Sequence, residues 1–222
     1  MIKIHGEDNI VEHPKNVTLA GTVTGRGNRI VIRSSLRESL INLHVNGDKN
    51  TIIIGDVFSI KGLRISCGNH IPANNTSLRI GDKFSIEPGS EIMLYNNKSC
   101  ATIGDDCLFS KEIILRCGES PHLIFDEESG KYLDNGANLV IGNHVWVGER
   151  AYITKNANIP NNVIIGACSV VTRAFNVENC VIAGNPARVA KENVRWIRNR
   201  DFIPGGSVYD AGYQAYLAEN TE

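Results

Sequence analysis

Between Val140 and Thr172 the chain reads VIGNHVWVGERAYITKNANIPNNVIIGACSVVT. An aliphatic residue returns at every sixth position: Ile141, Val147, Ile153, Ile159, Ile165 and Val171. A helix repeats its buried face every 3.6 residues and a strand every two, so neither needs a period of six. Short extended segments joined by equivalent corners do need it, and three such sides make one coil. The residue two positions before each aliphatic is small or branched (Val145, Ala151, Ala157, Val163, Ser169) and shares its inward face. Asn and Gly, which tolerate φ > 0, crowd the expected corners, as in NANIPNNVIIG. The architecture this implies is a parallel β-helix, in which each coil buries its inner face only against its neighbours.

Upstream the signature loosens. An apolar-x-apolar pair recurs at Ile30/Ile32, Ile52/Ile54, Leu78/Ile80, Ala101/Ile103 and Leu139/Ile141. The second residue of the pair recurs at spacings of 22, 26, 23 and 38, which are 18 plus insertions of 4, 8, 5 and 20. Most coils therefore carry a loop, and one carries a long loop. About eight coils fit between residues 17 and 186. Only 6% of the chain is aromatic, and 21 of its 222 residues are Gly, which suits an all-β chain with many tight turns. After AGNPA the period changes: Val189, Val194 and Trp196–Ile197 suit a helix that starts after Pro186. The expected division is a β-helix domain over 1–187 and a C-terminal helix and tail over 188–222.

The charge is balanced, with 23 basic and 24 acidic residues, so no nucleic-acid partner is expected. The N-terminal MIKIHGEDNI is no signal peptide, and no apolar run approaches a membrane span. The six cysteines form no CxxC pair. Reduced thiols, a soluble chain and a cytoplasmic setting are the expectation.

The motifs HVWVG, IIGACSVVT and AGNPARV, set in their hexads, resemble the hexapeptide-repeat acyltransferases. The resemblance runs from about residue 50 to 191 and is strongest over 116–191. There a His, a loop, IGNHVWVG, IGACSVVT and GNPAR follow in order, as in the sugar and capsule O-acetyltransferases. The match is closest to the capsule and polysialic acid type, since no N-terminal helical segment precedes the coils. The resemblance implies a left-handed parallel β-helix, against the usual right-handed crossover. It implies acetyl-CoA as co-substrate, no metal, and a homotrimer with active sites at subunit interfaces. The reaction expected from it is acetyl transfer to a hydroxyl of a capsular or surface polysaccharide, a sialic-acid-containing polymer being one candidate. A small-sugar or antibiotic acceptor is the alternative.

Acyl transfer to an alcohol needs a base, donors for a developing oxyanion, and alignment. His122, at the mouth of the long insertion, is the candidate base. Glu119 is a candidate to orient it. Trp146 precedes the inward Val147 and so points outward, and the resemblance places it in the active site. By motif position, Gly148, Ala167 and Ser169 would face the pantetheine arm. Thr172 and Arg173 would approach the adenosine or phosphate end, and Pro186, Arg188 and Lys191 the far end. Gly148 or a neighbouring amide is a candidate oxyanion donor. His5, His13, His44, His70 and His144 read as structural or exposed. Cys117 sits in no nucleophile motif, so direct transfer is expected. Acceptor choice falls to loops 33–50, 66–77, 95–100 and 116–137, with Arg33 and Arg37 as candidates to meet an acidic glycan. A trimeric zinc enzyme would need clustered histidines, and a scaffold would need none of these residues.

Overall fold

The computed structural model describes residues 1–134 and 138–220; the ends of loop 116–137 and of the tail 188–222 lie outside the described residues. The chain winds through about eight turns of a three-faced parallel β-solenoid. Face A carries Ile2–His5, Val17–Thr24, Ser39–Asn46, Ser59–Cys67, Glu91–Leu94, Ile114–Cys117, Tyr152–Thr154 and Val170–Val171. Face B carries Ile10–Glu12, Arg29–Ser35, Thr51–Val57, Ser77–Ile80, Cys100–Ile103, Asn138–Ile141 and Asn158–Ile159. Face C takes the start of Ser59–Cys67, then Ser85–Ile86, Leu108–Phe109, Trp146–Val147, Ile164–Ile165 and Cys180–Gly184.

The aliphatic columns stack in register. On face B, Ile32, Ile54, Ile80, Ile103, Ile141 and Ile159 pair in succession. All six are buried, as are Val145, Ala151, Ala157, Val163 and Ser169. Each buried aliphatic contributes about 1.5–3 kcal/mol. Where the coil is wide enough, Phe84 and Phe109 fill it edge-to-face, centroids 5.1 Å apart. The winding starts at Ile2, one coil before residue 17, because Ile2–His5 pairs with Gly21–Thr24. That end coil has a neighbour on one side only and leaves Ile4 and Ile10 exposed, so its apolar signal is weak.

The corners explain the hexads. Left-handed backbone recurs every six residues at His144, Arg150, Asn156, Asn162 and Cys168, with φ of 53°, 59°, 65°, 58° and 58°. The glycines after the aliphatic residues serve another purpose, since Gly55, Gly81, Gly104 and Gly142 are not in that region. A Cβ on each would strike the Asx side chain of the next coil: Asp82, Asp105, Asn143 or Asn161. Those side chains accept the backbone N–H of the preceding coil's Asx residue. Asp56 N donates to Asp82 (3.0 Å), Asp82 N to Asp105, Asp105 N to Asn143 and Asn143 N to Asn161 (each 2.8 Å). A second ladder runs through Asp48, Asn74 and Asn97 at the A/B corner. Gly is there to let the ladder fold over it.

The C-terminal part differs from expectation. Ala187–Glu192 is a strand, not a helix; it turns back at Asn185–Pro186 and pairs antiparallel with Cys180–Gly184. This hairpin covers the last open edge of face C, where an unpaired strand would invite association. The helix lies further on, α1 over Val208–Glu219, N-capped by Ser207. Among the described residues no helix is long and apolar enough to cross a membrane.

Gly104→Ala should cost about 1–3 kcal/mol by overpacking against Asn143 and the Gly142 backbone, measured by urea denaturation.

Candidate active site

The insertions fall mainly at one edge. Loops 68–76 and 95–99 and the described segment 118–134 all follow strands of face A and precede strands of face B. They stack along that corner and form two adjoining recesses that share Tyr95. One, about 270 Å³, lies among Ile71, Tyr95, Asn97, Ser120, Leu123 and Tyr132. The other, about 420 Å³, runs towards the N-terminal coils among His44, Arg64, Ser66, Asn69, His70 and Tyr95.

His122 stands on the third of these loops. Its ring is exposed and makes no hydrogen bond among the described residues, while its backbone N–H donates to Glu119 O at 3.0 Å. The expectation that Glu119 orients the imidazole fails. The Glu119 carboxylate is held by Arg116 Nε at 3.0 Å and Lys155 Nζ at 3.8 Å. Beneath the loop lies Asp134, its side chain 1% exposed. It accepts from Glu119 N at 2.7 Å, from Asn96 Nδ2 and from the Lys155 ammonium. Burial alone would raise the Asp134 carboxyl, but the Lys155 ammonium, the Glu119 amide and the Asn96 amide outweigh it and hold it below the usual carboxylate range. Asn96 Oδ1 accepts from Ser120 N (3.1 Å), and Asn69 Nδ2 donates to Ser120 O (2.8 Å). Glu119 and Ser120, on the approach to His122, are thus tied to a buried ion pair. Burial pushes the Cys117 thiol up to about 12, so it offers no thiolate beside His122.

Trp146 lies elsewhere, on face C. It is 37% exposed, its Nε1 donates to Ser110 Oγ at 3.3 Å, and it shares a row with Leu108, Ile164, Val181 and Lys191. Gly148 and Ala167 form the adjoining C/A corner. Arg188 and Lys191 are exposed on the closing hairpin, with Pro186 at its turn. Gly148 N donates to Ile165 O at 2.7 Å and is therefore spent. The neighbouring Ala167 N–H has no partner among the described residues. Ser169 departs from its expected role: its side chain is buried, and its hydroxyl accepts from Gly184 N at 3.2 Å. Thr172 and Arg173 fall on the A/B side, where the chain leaves Val170–Val171; Arg173 lies 5.2 Å over the Phe175 ring.

The sequence-expected residues therefore divide. His122, Thr172 and Arg173 stand at the A/B corner. Trp146, Gly148, Ala167, Pro186, Arg188 and Lys191 stand on face C and its corner with A. In a three-sided prism the A/B corner lies opposite face C. Arg33, expected to meet an acidic glycan, is engaged by Asp56 and Asp82 at the B/C corner. Arg64, which sequence reasoning missed, and Tyr95, the first residue of the expected acceptor loop 95–100, line the recesses on the His122 side. Arg64 has no ion pair among the described residues. Burial, and then the Glu91 carboxylate, push the Tyr95 hydroxyl up, which keeps it a neutral donor.

No protein-family model matches the chain. It is 37% identical over 177 residues to a polysialic acid O-acetyltransferase of Neisseria meningitidis, covering 80% of this chain and 79% of that protein. It is 34% identical over 155 residues to a polysialic acid O-acetyltransferase of Escherichia coli O1:K1, covering 70% of this chain but 45% of that longer protein. Two crystal structures share the fold: a polySia-specific acetyltransferase (TM-score 0.73, 26% identity, 98% of this chain and 92% of that), and a polysialic acid O-acetyltransferase (TM-score 0.70, 29% identity, 97% and 99%).

Lys155→Met should leave Asp134 buried without its cation and cost about 3–5 kcal/mol at pH 7. Asp134 titrates low in the folded chain, so the pair's contribution is complete above a carboxylate's ordinary pKa of about 4. It is lost as the pH falls through the depressed value. Denaturation of both proteins at pH 7 and at pH 3 should therefore show the difference narrowing with acid.

Proposed function

Since the chain belongs to the left-handed β-helix O-acetyltransferases of the polysialic acid type, we propose that it moves an acetyl group from acetyl-CoA to a hydroxyl of a sialic-acid-containing capsular polysaccharide. The observation that carries this reading is the whole-length likeness to polysialic acid acetyltransferases, joined to a trough lined in part by Ser120 and Leu123 of the loop that carries His122. His122 takes the proton of the acceptor hydroxyl as that oxygen bonds to the acyl carbon. It then returns the proton to the leaving sulfur. A positioned base of this kind supplies about 10²–10⁴ in rate. The Ala167 N–H is free to donate to the acyl oxygen or to an amide of the pantetheine arm. Arg188 and Lys191 suit phosphates, and the small Gly148 and Ala167 leave room for a thin chain.

Two copies complete the site. One chain separates His122 from Trp146 by the thickness of the prism, whose side of six residues spans up to about 20 Å. Along the axis they differ little: His122 follows Ile114–Cys117, and Trp146 begins the next coil. A rotation axis parallel to the solenoid keeps levels and so brings the His122 corner of one copy to the Trp146 face of the next. A closed ring of three, as the family resemblance implies, makes three such sites. Exposed Leu123, Ile124 and Phe125 on the His122 loop suit that contact.

The acceptor fits the trough that leads from Leu123 past Tyr95 to Arg64 and His44. Arg64 suits a sugar carboxylate, Asn69 and Ser66 suit hydroxyls, and Tyr95 offers a ring face.

Thiol release from acetyl-CoA should appear with polysialic acid, and His122→Ala should lower kcat at least 100-fold with an unchanged melting temperature; small sugars as the only acceptors would overturn the polymer reading. Co-assembly of inactive His122→Ala and Trp146→Ala chains should restore about one site in four, since each site draws the two residues from different copies; no recovery in mixed trimers would place both residues in one chain. Arg64→Ala should raise the polymer KM roughly 5–30-fold, the loss of a charge-assisted hydrogen bond, with kcat held.

A further inference from the structure

Beyond the closing hairpin the chain does not leave the solenoid. Residues 194–204 run as a strap back along the B/C edge of face C towards the N-terminal coils. Trp196 is buried, its Nε1 donating to His144 O at 2.9 Å. Arg198 reaches Ser85 Oγ (2.6 Å), Asp106 Oδ1 (3.0 Å) and Lys83 O (3.1 Å), and lies 4.9 Å over the Phe58 ring. Phe202 meets Phe58 edge-on at 6.5 Å. At the level of the candidate site, the Trp196 indole stacks on His144 (4.1 Å, 9°) and tilts against Trp146 (6.3 Å, 49°).

We propose that Trp196 is a positioning residue for Trp146, and that His144 fastens it there in a proton-dependent way. The hydrogen bond from Trp146 to Ser110 is long at 3.3 Å and leaves one flank of the indole open. Trp196 occupies that flank and restricts the indole to one pose. The fastening follows from the donors. His144 Nδ1 lies 2.7 Å from Asp106 Oδ2, and Nε2 lies 3.0 Å from Trp196 O. A carboxylate and a carbonyl only accept, so both bonds exist together only when both ring nitrogens carry protons. A neutral ring keeps one bond and releases either the coil or the strap. The charged groups around the same recess of about 170 Å³ are Asp106, Arg195 and Arg198. Asp106 is the acid, and it serves His144 and Arg198 through different oxygens. The strap is therefore held tightest when the imidazole carries both protons.

The kinetic part of this proposal rests on the acetyl-transfer reading; the spectroscopic part does not. Trp146 and Trp196 are the two tryptophans of the chain, and an imidazolium stacked on an indole quenches its emission. In Trp146→Phe protein the emission comes from Trp196 alone. It should fall between pH 8 and pH 5, and stay flat in the Trp146→Phe/His144→Asn protein, Asn being well tolerated at positive φ. A flat profile with His144 in place overturns the latch. Trp196→Leu should lower kcat roughly 10–100-fold with both KM values within twofold, and Trp196→Phe should restore most of it. Should the Leu variant not fold, His144→Asn is the second test: its kcat should lose the rise towards acid that the parent shows relative to it. Parental kcat in folded Trp196→Leu, or identical pH profiles with and without His144, overturns positioning. Absence of turnover with every acceptor in the parent chain would be a failure of the acetyl-transfer reading instead, and the emission titration would still decide the latch.

Discussion

The whole molecule depends on one constraint: a coil of this solenoid can satisfy its backbone only through the coils above and below it. The flat sides do so by parallel pairing. The corners do so because a left-handed residue arrives every six positions and an Asx side chain closes over the glycine below. Buried amides without partners cost more than most packing contacts return. The six-residue period is thus the signature of a complete hydrogen-bond account, and the aliphatic columns follow from it. Change the spacing by one residue on a side, and the inner and outer sets exchange.

That constraint decides where chemistry can be placed. The flat faces are bound to the register and tolerate little, whereas a corner can carry an insertion if its ends return to the same rungs. The A/B corner carries the large ones, at 68–76, 95–99 and 118–134, and with them His122 and the trough. Face C keeps strict hexads and offers a flat wall with Trp146, small corner residues and cations at its end. A rigid wall for a long thin ligand and an irregular rim for a glycan are different demands, and in the proposed function the prism answers them on opposite sides. In the proposed assembly the two halves meet between copies.

Much of this was legible in the sequence, for identifiable reasons. Ile141 to Val171 and their small partners are fixed by period alone, and all of them are buried. Gly25, Gly47, Gly68 and Gly118 take the positive φ expected of corner glycines, but Gly55, Gly81, Gly104 and Gly142 do not, because sequence shows composition and not the side chain that folds across. The segment after Pro186 was misread as helix: Val189, Val194 and Trp196 have helical spacing, yet Val189 pairs in a hairpin and Trp196 is buried by a strap. Ser169 sat in the inward column from the start, and the column outweighs the motif. Arg64 and Tyr95 were not singled out because Arg64 is one of many outward residues, on the strand Ser59–Cys67, and Tyr95 opens a loop that follows no period; only the stacking of strands brings them to the side of the prism that bears His122. The signal that could have found them is arithmetical: each aligned insertion begins at the same point of the coil.

The strap gives the solenoid a property that stacking alone withholds. In a stack with nearest-neighbour contacts, the last coil can peel away without disturbing the others, and thermal fraying runs inward from either end. Here Arg198 is tied to Ser85, 113 residues earlier in the chain, and Phe202 rests against Phe58. Loss of the terminal coil would have to strip side chains from coils deep in the middle of the molecule. A ladder with a tie-rod along one edge no longer opens rung by rung; it resists until it gives way as a unit, and the segment that packs against Trp146 is the same one that makes the whole chain melt together.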